Sequence, residues 1–214
     1  MLHPSWLYLS EGFHLGTFRR IGKRVFDLLA TTALLPIALP FALLVSLAIF
    51  IESGGRGGVI YSQVRVKRDG KPFNIYKFRS MVTNAEKDGV AQWASKNDAR
   101  ITRVGKIIRK GRLDEIPQLY NVLIGDMSFV GPRPERPEFV KELSERIPYY
   151  DVRHCVKPGI TGWAQLCYPY GASEHDARQK LQFDLYYVKN HSLFLDFMIC
   201  LTTVEVVLFG KGAR

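Results

Sequence analysis

The sequence predicts an α+β fold, mostly helical, in which a re-entrant helical hairpin anchored in a membrane precedes a small mixed domain with interfacial helices and one short β-hairpin. Three observations carry this expectation. No charged side chain occurs between Leu28 and Ile51. Two short runs beyond it, rich in β-branched and aromatic residues, alternate in the period of two that marks strands. From Ile101 onward apolar side chains recur at helical spacing. The expected division is a lead-in over 1–21, a membrane helix pair over 22–53, and a domain over 54–214 whose C-terminal helix lies at the membrane surface.

Composition bounds the partners. The 214 residues include 30 Lys and Arg against 20 Asp and Glu, a net charge of +10, so an anionic partner is expected: nucleic acid, acidic lipid or a phosphorylated substrate. The long uncharged run counts against nucleic acid. Cys155, Cys167 and Cys200 are odd in number and form no CxxC pair, which argues against a disulfide framework and for a reducing, cytoplasmic setting.

Residues 1–21 mix aromatics such as Trp6, Tyr8, Phe13 and Phe18 with small polar residues and lack the layout of a signal peptide, so they read as a linker. The uncharged run that follows would reach about 36 Å as a straight helix, enough for a hydrocarbon core of about 30 Å. Pro36 and Pro40 fall inside it, each removing a backbone donor. Both flanks are basic, with Arg19, Arg20, Lys23 and Arg24 before it and Arg56, Arg65, Lys67, Arg68 and Lys71 after it, and the positive-inside tendency keeps both on one side. A helix broken near Pro36–Pro40 has arms of roughly 12 and 16 Å, suited to dipping into one leaflet and returning. A kinked single span is the other reading, since prolines are also common in true spans.

After Gly54–Gly58, residues 59–64 and 72–79 read as a hairpin turning at Asp69-Gly70. Residues 84–100 are polar, a helix with a loop. Ile101, Val104, Ile107 and Ile108 form the apolar stripe of a surface helix that carries Arg103, Lys106 and Arg109 on its other side. Gly131–Pro137 is a loop stiffened by three prolines, which holds Arg133 and Arg136 with little entropy left to lose on binding a phosphate. A plain rigid linker fits the same residues. A short helix follows over Glu138–Ile147. The glycines of Pro158–Gln165 suit either close approach of a ligand or packing against Trp163. Ser173 and Asp176 start a helix with a capping box, on which Lys180 and Asp184 are spaced to pair. The apolar tail from Leu193 to Phe209, interrupted by Asp196 and Glu205, fits an interfacial helix.

The candidate reactive centre is Arg109–Gln118, where Asp114 and Glu115 stand among Arg109, Lys110 and Arg112 ahead of Pro117, an apolar helical run and the stop at Gly125. Carboxylates at a helix start beside cations stay ionised, and such a pair can supply both a nucleophile and a ligand for a hard cation such as Mg2+. An acidic cap offsetting a basic helix explains the spacing equally well. The sequence has neither GxxxxGK[ST] nor GxGxxG, which removes the usual phosphate cradles, and no HExxH, GxSxG or Asp-x-Asp.

One further pattern covers most of the chain. Lys23-Arg24-Val-Phe-Asp27, Ile75-Tyr-Lys-Phe-Arg79-Ser-Met81, Leu113-Asp-Glu-Ile-Pro-Gln118, Asn121 through Pro134, and Pro158-Gly-Ile-Thr-Gly-Trp-Ala-Gln165 occur in the order seen in the bacterial sugar transferase family. The chain resembles these monotopic polyprenyl-phosphate phosphoglycosyl transferases from about residue 22 to 210. The resemblance implies transfer of a sugar 1-phosphate from a UDP-sugar to polyprenyl phosphate at the cytoplasmic face of the bacterial inner membrane, with release of UMP. It implies Asp114 as nucleophile, Glu115 as a ligand of Mg2+, and Arg109 and Arg133 on the substrate phosphates. Asp184 matches a further acidic position, Arg112 and Arg136 are nearby candidates, and Lys23 and Arg24 would hold the hairpin at lipid headgroups. Where the family often has Ser-Pro at the hairpin break, this chain has Leu39-Pro40, with Pro36 in addition. A reading from another class is a non-catalytic basic protein that binds the membrane surface, with Asp114-Glu115 only a cap.

Overall fold

The computed structural model describes residues 16–83, 85, 98–168, 171 and 173–209. The lead-in over 1–15 and most of the polar stretch 84–100 lie outside the described residues. The rest is mostly helical, with two small two-stranded sheets.

Helix α1 (Thr17–Glu52) begins five residues before the expected boundary at 22 and contains both prolines. The break expected between Pro36 and Pro40 is therefore not a break in secondary structure. Each proline only deprives the carbonyl four residues earlier, at Thr32 and Pro36, of its donor, and the helix runs on. One stripe of α1 is buried, made of Asp27, Thr31, Ala38, Val45 and Ile49. The other faces, with Leu29, Ile37, Leu43, Leu44 and Leu47, are exposed. Its most apolar 18-residue window has a mean hydropathy of 2.6 and is only 17% buried, so α1 is long and apolar enough to cross a membrane. Apolar surface on this scale belongs against lipid.

Both halves of α1 dock on the domain that follows. Arg24 donates to the carbonyls of Val122 (2.5 Å) and Leu123 (2.6 Å). Lys23 pairs with Asp27 (3.2 Å) and with Asp196 (2.9 Å), while Asp27 also accepts from Ser128 Oγ (2.9 Å) and the Phe129 N–H (3.0 Å). At the other end Val45 and Ile49 pack on Phe78 and Ile108, and Glu52 accepts from the Val104 N–H (3.1 Å). Lys23 and Arg24 are thus turned inward, not toward lipid headgroups. The physical reason is that helix-terminal carbonyls lack donors within their helix, and buried carboxylates need a cation.

Strands β1 (Ile60–Val66) and β2 (Pro72–Phe78) form the expected antiparallel hairpin, with Ile60 opposite Phe78 and Val66 opposite Pro72. Its turn puts Asp69 (φ 62°) and Gly70 (φ 71°) in the left-handed region, which Asp and Gly tolerate. Helix α2 (Arg103–Lys110) is capped by Thr102 Oγ1, which accepts from the Gly105 N–H at 2.9 Å. A short 3-10 turn over Leu113–Glu115 leads to helix α3 (Gln118–Ile124), closed by Gly125 at φ 91° as expected. Asn121 ties α3 to β2: its side chain accepts from the Tyr76 N–H (3.1 Å) and donates to the Asn74 carbonyl (2.7 Å).

Strands β3 (Ser128–Val130) and β4 (Gly159–Thr161) form an unexpected parallel pair, with helix α4 (Pro137–Arg146) in the connection. The glycines here serve neither a ligand nor Trp163. A Cβ on Gly159 would lie 2.1 Å from the Gly131 nitrogen, one on Gly131 2.4 Å from the Lys157 oxygen, and one on Gly162 2.2 Å from the Gly131 oxygen. Backbone lies directly on backbone. Helix α5 (Trp163–Cys167) and the capping-box helix α6 (Glu174–Asn190) follow. Asp184 pairs with the buried Arg153 (2.8 Å), and Lys180 donates instead to the Gly171 carbonyl (2.8 Å). Helix α7 (Leu193–Phe209) buries Asp196 and Ile199 and exposes Phe194, Phe197, Leu201 and Val204. Asp196, an interruption in the sequence, is the partner of Lys23 and accepts from the Tyr187 hydroxyl (2.7 Å).

Candidate active site

The Leu113–Glu115 turn sits between α2 and α3, and the residue before it, Arg112, holds a left-handed backbone (φ 53°) that side chains with a Cβ seldom adopt. That turn sends the two adjacent carboxylates into different surroundings. Glu115 is buried, and three cations converge on it: Arg133 at 2.9 Å, Lys77 at 3.6 Å and Arg112 at 3.6 Å. Asp114 is half-buried, and among the described residues no cation comes within ion-pair distance of it.

The electrostatics follow. Burial pushes the Asp114 carboxyl above its ordinary range and the neighbouring Glu115 charge pushes it further, against the pull of Lys77, Arg133 and Arg109. Burial alone would raise Glu115 too, but Arg133, Lys77 and Arg112 outweigh it and hold the carboxyl well below its usual range. Burial, with Arg133 nearby, pushes the Lys77 ammonium down to about 8 despite the two carboxylates. Two neighbouring acids held in opposite states suit two different roles.

Arg133 is placed by its loop. Four consecutive carbonyls are taken: Pro132 by the Gly159 N–H (2.9 Å), Arg133 by Arg153 (2.9 Å), Pro134 by Arg65 (3.2 Å) and Glu135 by the Val66 N–H (3.0 Å). The prolines fix φ while these donors fix the peptide planes. Asp184 reaches the site only through Arg153. Arg109 donates to Ser80 Oγ (2.8 Å) and acts on Asp114 through its charge. Arg136 lies over the Phe139 ring and 3.9 Å from Glu138. Beside Glu115 a cleft of about 200 Å³ is lined by Arg65, Ile75, Lys77, Gln118, Arg133 and Pro134.

Sequence reasoning missed Lys77, Arg65 and Arg153. For Lys77 a signal exists: on β2 the alternate positions Phe73 and Ile75 face the core, and the same parity carries Lys77 inward. Arg153 had none, because its value lies in partners far off in sequence.

Residues 18–210 match the family described as bacterial sugar transferase. The chain belongs to the bacterial sugar transferase family. Among its relatives is the UDP-N-acetylgalactosamine-undecaprenyl-phosphate N-acetylgalactosaminephosphotransferase of Aeromonas hydrophila, 48% identical over 192 residues, 90% of this chain and 45% of that protein. The UDP-glucose:undecaprenyl-phosphate glucose-1-phosphate transferase of Escherichia coli K12 is 40% identical over 196 residues, 91% of this chain and 42% of that protein. The exopolysaccharide production protein PSS of Rhizobium leguminosarum bv. phaseoli is 41% identical over 197 residues, 89% of this chain and 97% of that one. This bacterial sugar transferase chain spans less than half the length of the first two.

Proposed function

We propose that this chain is a phosphoglycosyl transferase that moves a sugar 1-phosphate from a UDP-sugar to polyprenyl phosphate and releases UMP. The observation that carries the reading is the asymmetry of the dyad. Glu115 is clamped by three cations, whereas Asp114 keeps a basic carboxylate unpaired among the described residues.

In the first half-reaction an Asp114 oxygen attacks the phosphorus that bears the sugar, and the bond from that phosphorus to the bridging oxygen breaks. UMP leaves with the electron pair, and a phosphosugar remains on Asp114. In the second, an oxygen of polyprenyl phosphate attacks the same phosphorus, its bond to Asp114 breaks, and the carboxylate is restored. Arg133, Lys77 and Arg109 stabilise the charge that builds on the phosphoryl oxygens, where most of the catalysis of phosphoryl transfer resides.

The residues fit Mg2+ in a particular way. Asp114 and Glu115 offer hard oxygen donors, and among the described residues no group of three or more potential ligands occurs. They suit an ion that arrives on the diphosphate and completes its octahedron with phosphate oxygens and water. Bound there, Mg2+ neutralises charge on the diphosphate.

A lipid acceptor accounts for the apolar faces of α1 and α7 beside the site. We read α1 as re-entrant, bent at Pro36–Pro40, because both of its halves dock on the same domain. That domain then lies on the cytoplasmic face of the inner membrane, where nucleotide sugars are found.

The test is UMP release by protein held in nanodiscs with Mg2+, polyprenyl phosphate and a panel of UDP-sugars. One sugar should support release, and Asp114→Asn should abolish it while membrane association is unchanged. Full turnover by that variant would remove Asp114 as nucleophile. Silence of the membrane-bound wild type across the panel would favour the membrane-surface binding reading.

A further inference from the structure

Gln118 follows the dyad by three residues and is only 2% exposed. Its side-chain Nε2 is buried with no hydrogen-bond partner among the described residues. The same holds for Nε of Arg65, and both residues line the cleft beside Glu115. Leaving a buried donor unmet costs stability, and an apolar side chain of the same shape would avoid that cost. The charged groups that line this cleft are Arg65, Lys77 and Arg133, all cations, so what completes these donors is an anion. Lys77 and Arg133 also share one oxygen of Glu115, which places the cleft against the dyad.

We propose that Gln118 is a substrate-contacting residue, whose amide donates a hydrogen bond to a phosphate oxygen bound in this cleft. The proposal rests on the phosphotransfer reading and adds a contact to it. The phosphate belongs either to the nucleotide donor or to the lipid acceptor, and the experiment separates them.

Full-length wild type and Gln118→Met, in nanodiscs with Mg2+, are compared for binding of UDP, for binding of polyprenyl phosphate, and for the thermal unfolding midpoint. Methionine keeps the length of the side chain and removes the donor. The variant should unfold at the same temperature or higher, because an unmet donor is gone, and should lose about tenfold in affinity for one of the two ligands. Loss confined to UDP assigns the contact to the donor diphosphate, and loss confined to polyprenyl phosphate assigns it to the acceptor. Unchanged affinity for both overturns the proposal. So does a fall in both stability and binding, which marks a structural amide. Binding needs no turnover: if the wild type releases no UMP from any UDP-sugar while Gln118→Met shows the selective loss, the contact stands and the phosphotransfer reading falls. If UMP is released and the variant binds both ligands as the wild type does, the reverse holds.

Discussion

Glu115 keeps its charge because Arg133, Lys77 and Arg112 surround it, while Asp114, one residue earlier, is left with a carboxyl made more basic by burial and by Glu115 itself. That difference makes a pH profile predictable. A raised Asp114 pKa means that protonation, and loss of the attacking carboxylate, sets in at higher pH than for an ordinary aspartate as pH falls. On the other side Lys77 loses its charge as pH rises through about 8. A plot of kcat/KM against pH should therefore be bell-shaped, with the basic limb near 8. Lys77→Arg should move that limb upward, and Lys77→Met should erase it at a lower plateau. A basic limb that stays in place in Lys77→Met would assign it to another group. Sequence alone pointed to the dyad and to Arg133, but the inward face of a strand made Lys77 part of the site, and the dyad's two roles depend on it.

Among the elements, the loop from Gly131 to Arg136 shows how stiffness is built. Its prolines were legible and promised a rigid arginine. What they could not disclose is that four successive carbonyls are pinned from β1, β4, Arg65 and Arg153. Nor could they disclose that Gly131, Gly159 and Gly162 exist to let the two short strands touch. Gly159→Ala puts a methyl carbon where the Gly131 nitrogen lies. The expected cost is about 1–3 kcal/mol of stability, as in other overpacked sites, with a fall in turnover as Arg133 shifts from Glu115. Thermal unfolding and UMP release check both, and a variant as stable as the wild type would show that the strands can part at no cost. The same logic corrects Asp184: helical spacing offered Lys180, yet the tertiary partner is Arg153, because a buried guanidinium and a buried carboxylate each need the other.

At the scale of the whole molecule, the exposed apolar residues of α1 and α7 surround a basic domain, so a lipid surface organises the arrangement. The two-ended docking of α1 predicts that both ends lie on one side of the membrane. In a chain with its three cysteines replaced, Phe18→Cys, at a 92% exposed position before the apolar run, and Val64→Cys, beyond it, should both be protected in intact cells from a maleimide that cannot cross the membrane. Both should react once the cells are opened. Labelling of Phe18→Cys from outside would make α1 a span.

The sequence by itself determined the elements that depend on local patterning: the uncharged helix, the hairpin at Asp69-Gly70, the capped helix from Ser173, and the cluster of acids and cations around Asp114. Residues a few positions apart settle these through periodicity, caps and turns. Tertiary structure alone decided which cations meet Glu115, that Lys23 and Arg24 turn inward, that α1 continues through its prolines, and that β3 pairs with β4. Each of these joins residues distant in the chain. Their partners are chosen by what burial leaves unsatisfied, and that is known only once the chain has packed.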